Sequence, residues 1–403
     1  MFKQVVFGMA AGALISAVHG ETEGTDQGRI AELERQVQVL SDAFQLQQEM
    51  SVAETMDLRS GFRFGGYGDI HANFEENGKS VFDIHRLVMY VGYDFSDWIT
   101  LNSEIELEHA YVTDGAGGEI SIEQLYADFQ LADSFNVRAG RMLAPMGIIN
   151  HAHEPTLFFG VERPSVDKYI IPSTWSIDGV GVFGAPFGWL NYQAYVVGGL
   201  NGSAFSASDG VRGGRIKERG GLNAPAITGR IDLFPFDEQD LRLGVSAYYG
   251  GTDNANKGGG SGAENNFGMY SADFEYTVSR LQVRGVVALG DQSDPENLPV
   301  GVGEQIFGWY LEAGVSVMPE SWMSGKLVEA DILPFVRYEE FDTQHKVLDG
   351  TVKDGANDRT DITVGVNLPL TQQLILKADY QFKYSKAAAD PNNTFNLGMG
   401  WAF

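Results

Sequence analysis

Cysteine is missing from all 403 residues. No disulfide, thiolate metal centre or Cys nucleophile can therefore be built. Long apolar runs are missing too. No stretch reaches the roughly 18 consecutive apolar residues that a bilayer-crossing helix needs. The nearest, Val5–Val18 behind Lys3, is too short to span and reads as an export signal, with cleavage expected after Gly20 or after Ala17. Positive charge is scarce: 28 Lys and Arg stand against 54 Asp and Glu, a formal charge of -26. That balance argues against nucleic acid held through its phosphates. It does not decide which ions the chain prefers, because charges on loops and on an inner wall act differently. The serine-hydrolase elbow, the zincin helix and the phosphate-binding loop are all lacking. Neither an enzyme nor a cofactor is expected.

Glycine (50 residues) and aromatics (12%) are abundant, and the alternation is of period two. The last strand is the clearest case. Phe395, Leu397, Met399, Trp401 and Phe403 alternate with Asn396, Gly398, Gly400 and Ala402. One face is large and apolar, the other small or polar, as on a strand with two different neighbours. A soluble sheet could carry such a strand. Ending on Phe403 with similar strands upstream, it resembles the closing strand of a bacterial outer-membrane β-barrel. That resemblance implies recognition of Phe403 by the barrel-assembly machinery.

Sixteen candidate strands begin near Phe62, Val81, Trp98, Glu119, Phe135, Ile177, Trp189, Ala226, Leu241, Phe267, Leu281, Gln305, Val328, Thr360, Leu374 and Asn393. Their connections alternate. Short ones, such as Ser96-Asp97, Ala132-Asp133, Val278-Ser279 and Pro319 to Gly325, separate mostly longer ones near 110–118, 142–176, 200–222, 251–265, 290–304 and 344–358. Long loops at one end and tight turns at the other are the layout of a membrane barrel. The fold class expected is all-β: a transmembrane antiparallel barrel of about 16 strands over residues 61–403, embedded in a lipid bilayer.

Ahead of it, Ile30, Leu33, Val37, Leu40 and Phe44 alternate at spacings of three and four, a heptad seam of about two repeats. Residues 21–60 are read as a short periplasmic helix, oligomerising as a coiled coil, and a linker. The other reading is a single amphipathic helix against the barrel mouth.

Strand faces say what the barrel encloses. In the third strand Ile99, Leu101, Ile105 and Leu107 alternate with Thr100, Asn102, Glu104, Glu106 and Glu108. A charge facing lipid costs roughly 2–4 kcal/mol at the midplane, so the polar set faces a watery lumen. The basic lumen candidates are Arg138, Arg230, Arg242, Arg284, Arg337, Lys377 and Lys383. Against them stand Glu104, Glu106, Glu108, Glu119, Glu123, Asp128, Asp232, Asp273, Glu275, Glu312, Glu339 and Asp379. Those on the third and fourth strands could form one acidic wall of a transverse field, or the glutamates could pair with the lumen arginines as structural salt bridges. The longest connection, Met142 to Ser176, is too apolar and too rich in proline to lie loose in water, and is expected to fold inward and narrow the lumen. Capping the barrel or contacting a neighbouring copy are the other uses open to it. Arg141, His151, His153, Glu154, Arg163 and Lys168 lie in or beside it. His151 and His153, with His85, His109 and Glu154 as further candidates nearby, could hold a transition metal, but loop histidines more often cap backbone groups or pack against the wall, and no metal site is expected.

Four segments go further: Gly66-Tyr-Gly-Asp-Ile-His71, Phe82-Asp-Ile-His-Arg-Leu-Val-Met-Tyr-Val-Gly-Tyr-Asp-Phe95, Glu104-Ile-Glu-Leu-Glu-His109 and His153-Glu-Pro-Thr-Leu-Phe-Phe-Gly-Val-Glu-Arg-Pro164. With them the chain resembles the phosphate-selective porin O and P family across residues 60–403. The resemblance implies a homotrimeric sixteen-stranded barrel in the outer membrane with a constricting third loop. Passive diffusion of small hydrophilic solutes or ions is the function expected. A phosphate- or other anion-selective channel is the first alternative. A structural or adhesive envelope barrel without a pore is the second.

Overall fold

The computed structural model describes residues 61–113, 117–236, 240–388 and 390–403. The export signal and the expected helix with Ile30, Leu33, Val37, Leu40 and Phe44 lie outside the described residues. Sixteen strands follow one another: β1 (Phe62–Glu75), β2 (Val81–Ser96), β3 (Ile99–Glu108), β4 (Glu119–Ala132), β5 (Phe135–Leu143), β6 (Ser176–Phe187), β7 (Leu190–Gly198) and β8 (Pro225–Leu233). Then come β9 (Leu241–Gly251), β10 (Asn266–Val278), β11 (Leu281–Gln292), β12 (Gln305–Val315), β13 (Leu333–Lys346), β14 (Asp358–Thr371), β15 (Leu374–Ser385) and β16 (Thr394–Ala402). Each pairs with its neighbours in the chain, and β16 closes on β1. Closure leaves no sheet edge.

The seam shows why the C-terminal sequence has its form. Gly66 and Phe403 exchange both backbone hydrogen bonds, at 3.0 and 2.8 Å. A side chain on Gly68 would meet the Trp401 ring at 2.5 Å, so glycine lets the two strands meet there. The large members of the alternation face outward: Phe64, Phe82, Ile84, Met89, Ile120, Val180, Val196, Ile227, Val245 and Phe395 are all exposed. Aromatic pairs gather at the short-turn end, with Phe62 on Tyr93 (4.8 Å), Trp98 near Phe129 (6.2 Å) and Phe187 stacked on Trp189 (5.2 Å). That is the position of an interfacial girdle.

Among several register shifts, two bulges within the β1–β4 wall interrupt the alternation. The β1–β2 register passes from Asp69 opposite Arg86 to Ile70 opposite Ile84, leaving His85 as the extra residue. The β3–β4 register passes from Glu104–Gln124 to Ile105–Ile122, leaving Glu123 extra. Each bulge turns two consecutive polar residues, His85-Arg86 and Glu123-Gln124, away from the flanking exposed residues Ile84, Leu87, Ile122 and Leu125.

Strand starts match the sequence expectation to within two residues except for β13, which begins at Leu333 instead of near Val328. The connection before it, 316–332, is correspondingly longer than a tight turn. It carries two short 3-10 turns, Glu320–Trp322 and Gly325–Leu327, and is tied at its base by the bond from Val317 N–H to Ile332 O (2.9 Å). Among the described residues no helix is long and apolar enough to cross a membrane.

Candidate functional site

The barrel is not an open tube. Residues 144–175, between β5 and β6, fold into it and carry the one short α-helix described, α1 (Val166–Tyr169). The loop brings its own apolar surface. Met146, Ile148, Ile149, Phe158, Ile170, Ile171 and Trp175 are buried against Tyr195, Val197, Tyr248, Phe267, Met269, Val286 and Tyr310 of β7, β9, β10, β11 and β12. Burying each large side chain contributes roughly 1.5–3 kcal/mol. The neck of the loop is clamped by Asn150, which donates to Ala144 O (2.7 Å) and accepts from the Trp175 N–H (2.8 Å). An aromatic contact of Trp175 with Tyr248 (4.7 Å) seals it to the wall.

A loop without regular structure leaves its carbonyls unpaired, and buried carbonyls need donors. Basic residues of the wall supply them. Lys377 donates to Phe158 O (2.8 Å) and Gly160 O (2.7 Å). Arg337 reaches Phe159 O (3.4 Å) and Glu162 O (3.1 Å), and Arg284 reaches Leu157 O (2.8 Å). Arg230 donates to Gly147 O (2.9 Å) and Arg86 to His153 O (2.9 Å). Wall carboxylates take the complementary part. Asp379 accepts from the Val161 N–H (2.6 Å), Glu339 from the Val166 N–H (3.1 Å) and Asp361 from the Ser165 hydroxyl (2.6 Å).

The arginines of the wall, unlike Lys377, are also paired with carboxylates. Arg230 bridges Asp232 (2.8 Å) and Asp273 (2.7 Å); Arg242 bridges Asp232 (2.7 Å), Asp273 (2.9 Å) and Glu275 (2.7 Å). Arg284 is paired with Glu312, and Arg337 with Glu312 (3.3 Å) and Glu339 (3.0 Å). Arg138 holds Asp128 (2.7 Å) and lies over the Tyr126 ring (4.0 Å). Arg141 pairs with Asp178 (2.6 Å) and donates to the carbonyls of Lys217 and Glu218, so it secures a neighbouring connection. Of the two arrangements open to the sequence, opposed walls or local salt bridges, the geometry on β5, β8, β9, β11 and β13 is local pairing.

Strands β3 and β4 carry the acidic side. Glu104, Glu106 and Glu123 are buried there. His153 of the loop sits among them, its Nε2 3.3 Å from Glu123, 3.7 Å from Glu104 and 2.8 Å from the Tyr67 hydroxyl. Tyr90 donates to Glu154 (2.9 Å). His151 points elsewhere, toward Leu143 O (3.4 Å), so the two loop histidines do not converge. Glu108 faces a recess shared with Arg212 and Arg215. Asp167 of α1 is fully buried, and neither of its carboxylate oxygens has a hydrogen-bond partner among the described residues. Burial pushes its carboxyl up to about 7.

Between the loop and strands β1, β2 and β13–β16 a polar chamber of about 550 Å³ remains. Its cations are Lys79, Arg163, Lys168, Arg359 and Lys383, none of which has a carboxylate at ion-pair distance among the described residues. Its carboxylates include Glu75, Asp83, Glu162 and Asp361. Three of these are engaged: Asp83 by His85 and His109, Glu162 by His71 (3.2 Å) and Asn73 (3.0 Å), and Asp361 by Ser165. The sequence reading missed Tyr67, Asp69, His71 and Arg86. Asp69 and Arg86 form a buried pair at 3.1 Å. The signal was there: Ile84-His-Arg-Leu87 and Ile122-Glu-Gln-Leu125 space their apolar residues by three, the mark of a bulge.

Residues 59–264 match the family model described as phosphate-selective porin O and P. An uncharacterized protein of Aquifex aeolicus (strain VF5) is 29% identical over 375 residues, 88% of this chain and 82% of that one. Solved structures of similar fold include Salmonella typhi OmpF in complex with daunomycin (TM-score 0.58, 12% identity, 85% of this chain and 97% of that one). The anion-selective porin from Comamonas acidovorans is another (0.55, 12%, 85% and 99%), as is the outer membrane channel DcaP of Acinetobacter baumannii (0.55, 11%, 85% and 97%).

Proposed function

The chain belongs to the phosphate-selective porin O and P family, and from that premise we propose how this outer-membrane porin passes its solutes. Small hydrophilic solutes and ions diffuse down their gradients through the water left between the loop 144–175 and the wall. The observation that carries this reading is the loop itself, seated inside the barrel on its own apolar core and bonded to the wall through its carbonyls. On the β1–β4 side the loop meets the wall where His153 and Glu154 face Tyr67, Glu104, Glu123 and Tyr90, and the passage is narrowed there. Because the wall cations are spent on carbonyls and carboxylates, the lumen offers a passing anion no continuous ladder of free positive charge. Weak charge selectivity follows.

An anion-preferring channel is the second reading. The chamber favours it, since its carboxylates are mostly engaged while Arg163, Lys168 and Lys383 are not ion-paired. The reversal potential of the purified protein in a planar bilayer under a KCl gradient, with and without added phosphate, separates the two. A potential near zero that phosphate does not move supports the general pore. Anion preference with phosphate block supports the second reading.

The assembly belongs to the same proposal. The protein is exported by residues 1–20, inserted by the barrel-assembly machinery reading Phe403, and assembled as a homotrimer with the segment 21–60 on the periplasmic side. A trimer is described for OmpT of Vibrio cholerae, whose fold is similar (TM-score 0.52, 10% identity, covering 85% of this chain). A heat-dissociable oligomer on gels supports the trimer; a monomer by native mass contradicts it.

A further inference from the structure

The bulge in β2 brings together three side chains whose own chemistry the pore reading leaves without a role. Asp83 and His85 stand on β2, and His109 follows the last residue of β3. The Asp83 Oδ2 atom lies 3.3 Å from His85 Nδ1 and 2.8 Å from His109 Nδ1. One carboxylate oxygen thus serves two imidazole nitrogens, and the three atoms all fall within 4.8 Å of one another. Ligand atoms around a tetrahedral ion bound at 2.0–2.2 Å stand about 3.3 Å apart. The His85–Asp83 distance already matches that spacing, and the His109–Asp83 distance must open by about half an ångström to reach it.

The backbone holds the group in place. His109 adopts the left-handed conformation (φ 56°), uncommon outside glycine, and its N–H donates to His85 O at 2.8 Å. The His85 and His109 rings meet edge to face at 5.9 Å, while the other face of His85 stacks on His71 at 4.4 Å. His71 is itself fixed by Asp69 (3.1 Å) and Glu162 (3.2 Å), so His85 has little room to rotate. All three ligand candidates line the polar chamber and retain 21%, 31% and 42% side-chain exposure for Asp83, His85 and His109. A hydrated ion can reach them from the chamber.

We propose that Asp83, His85 and His109 form a divalent transition-metal site on the chamber wall, with the remaining coordination position open to water. Two imidazoles and one carboxylate suit Zn²⁺, Ni²⁺ or Cu²⁺. Ca²⁺ and Mg²⁺, which take oxygen ligands in larger number, fit poorly. A bound ion adds two positive charges beside the solute path and narrows the chamber, so metal acts as a blocker of the pore.

The test uses the full-length protein in detergent and in planar bilayers, stripped with EDTA, with ZnCl2 as the probe and MgCl2 as control. One Zn²⁺ per chain is expected by calorimetry, together with a partial block of conductance that EDTA reverses and MgCl2 does not produce. His85→Gln and His109→Gln, made separately, should each raise the half-blocking concentration at least about tenfold, since even outer-shell changes cost that much. His153→Gln, which alters the buried Glu104–Glu123–His153 group, should leave zinc binding in place. Absence of binding at micromolar Zn²⁺, equal binding by the His85 and His109 variants, or loss of binding only in His153→Gln each overturns the site. Conductance without zinc block overturns the site alone and leaves the pore standing.

Discussion

The ammonium of Lys377, on the fifteenth strand, donates to the carbonyl oxygen of Phe158, 219 residues away, at 2.8 Å. It also covers the Phe158 ring at 3.9 Å, and only 5% of the residue is exposed. A lysine that sequence parity assigns to the pore wall is thus an anchor for the inward-folded loop. Replacing it by Met removes two charge-assisted bonds, leaving Gly160 O without its donor and Phe158 O with only the longer bond from Asn367 (3.4 Å). Each such bond contributes about 1.5–3 kcal/mol. Lys377→Met is expected to lower the temperature at which the folded band is lost on gels and to make single-channel current noisier. Wild-type noise and stability would show that the loop is held by something else.

Arg337 is fully buried between Glu312 and Glu339 and also holds two loop carbonyls. Breaking a buried ion network by removing one member costs about 3–5 kcal/mol, because the remaining charges are left uncompensated. Arg337→Met is predicted to fold poorly or to unfold at clearly lower urea. Arg337→Met combined with Glu339→Gln should recover part of that loss. A single variant as stable as wild type contradicts the network.

The strands were readable because lipid on one side and water or protein on the other impose period two, and Phe403 marked the seam. The inward loop was readable because Phe158, Phe159, Ile170, Ile171 and Trp175 are too apolar for an external connection. The commitments of the cations were not readable. Lys377 binds carbonyls and Arg242 binds three carboxylates, yet the two are equivalent by parity. The bulges at His85 and Glu123 also escape a period-two reading, since an extra residue reverses parity for the rest of its strand.

Asp167 predicts a pH dependence. Its carboxyl, pushed up to about 7, binds a proton in the folded loop that it has already lost in the unfolded chain above about pH 4. Its contribution to stability is therefore full at low pH and declines as pH rises from about 4 to 7, by a few kcal/mol at most. Asp167→Asn should flatten that part of the profile and gain most at pH 8. Parallel profiles for wild type and variant would mean that Asp167 is not held neutral by its surroundings.

Arg163 and Lys383 supply the charge test. Both line the chamber without a carboxylate at ion-pair distance among the described residues. The double change Arg163→Gln, Lys383→Gln should shift the reversal potential under a KCl gradient toward cation preference. No shift would place the conducting path away from this chamber.

The central claim is that water crosses this barrel only around the loop 144–175, and single-channel conductance in planar bilayers tests it most directly. Wild type should show stable, ohmic steps, and the chain lacking residues 150–165 should show distinctly larger ones. Folded wild-type protein that conducts nothing, or steps of equal size in both chains, would contradict the account.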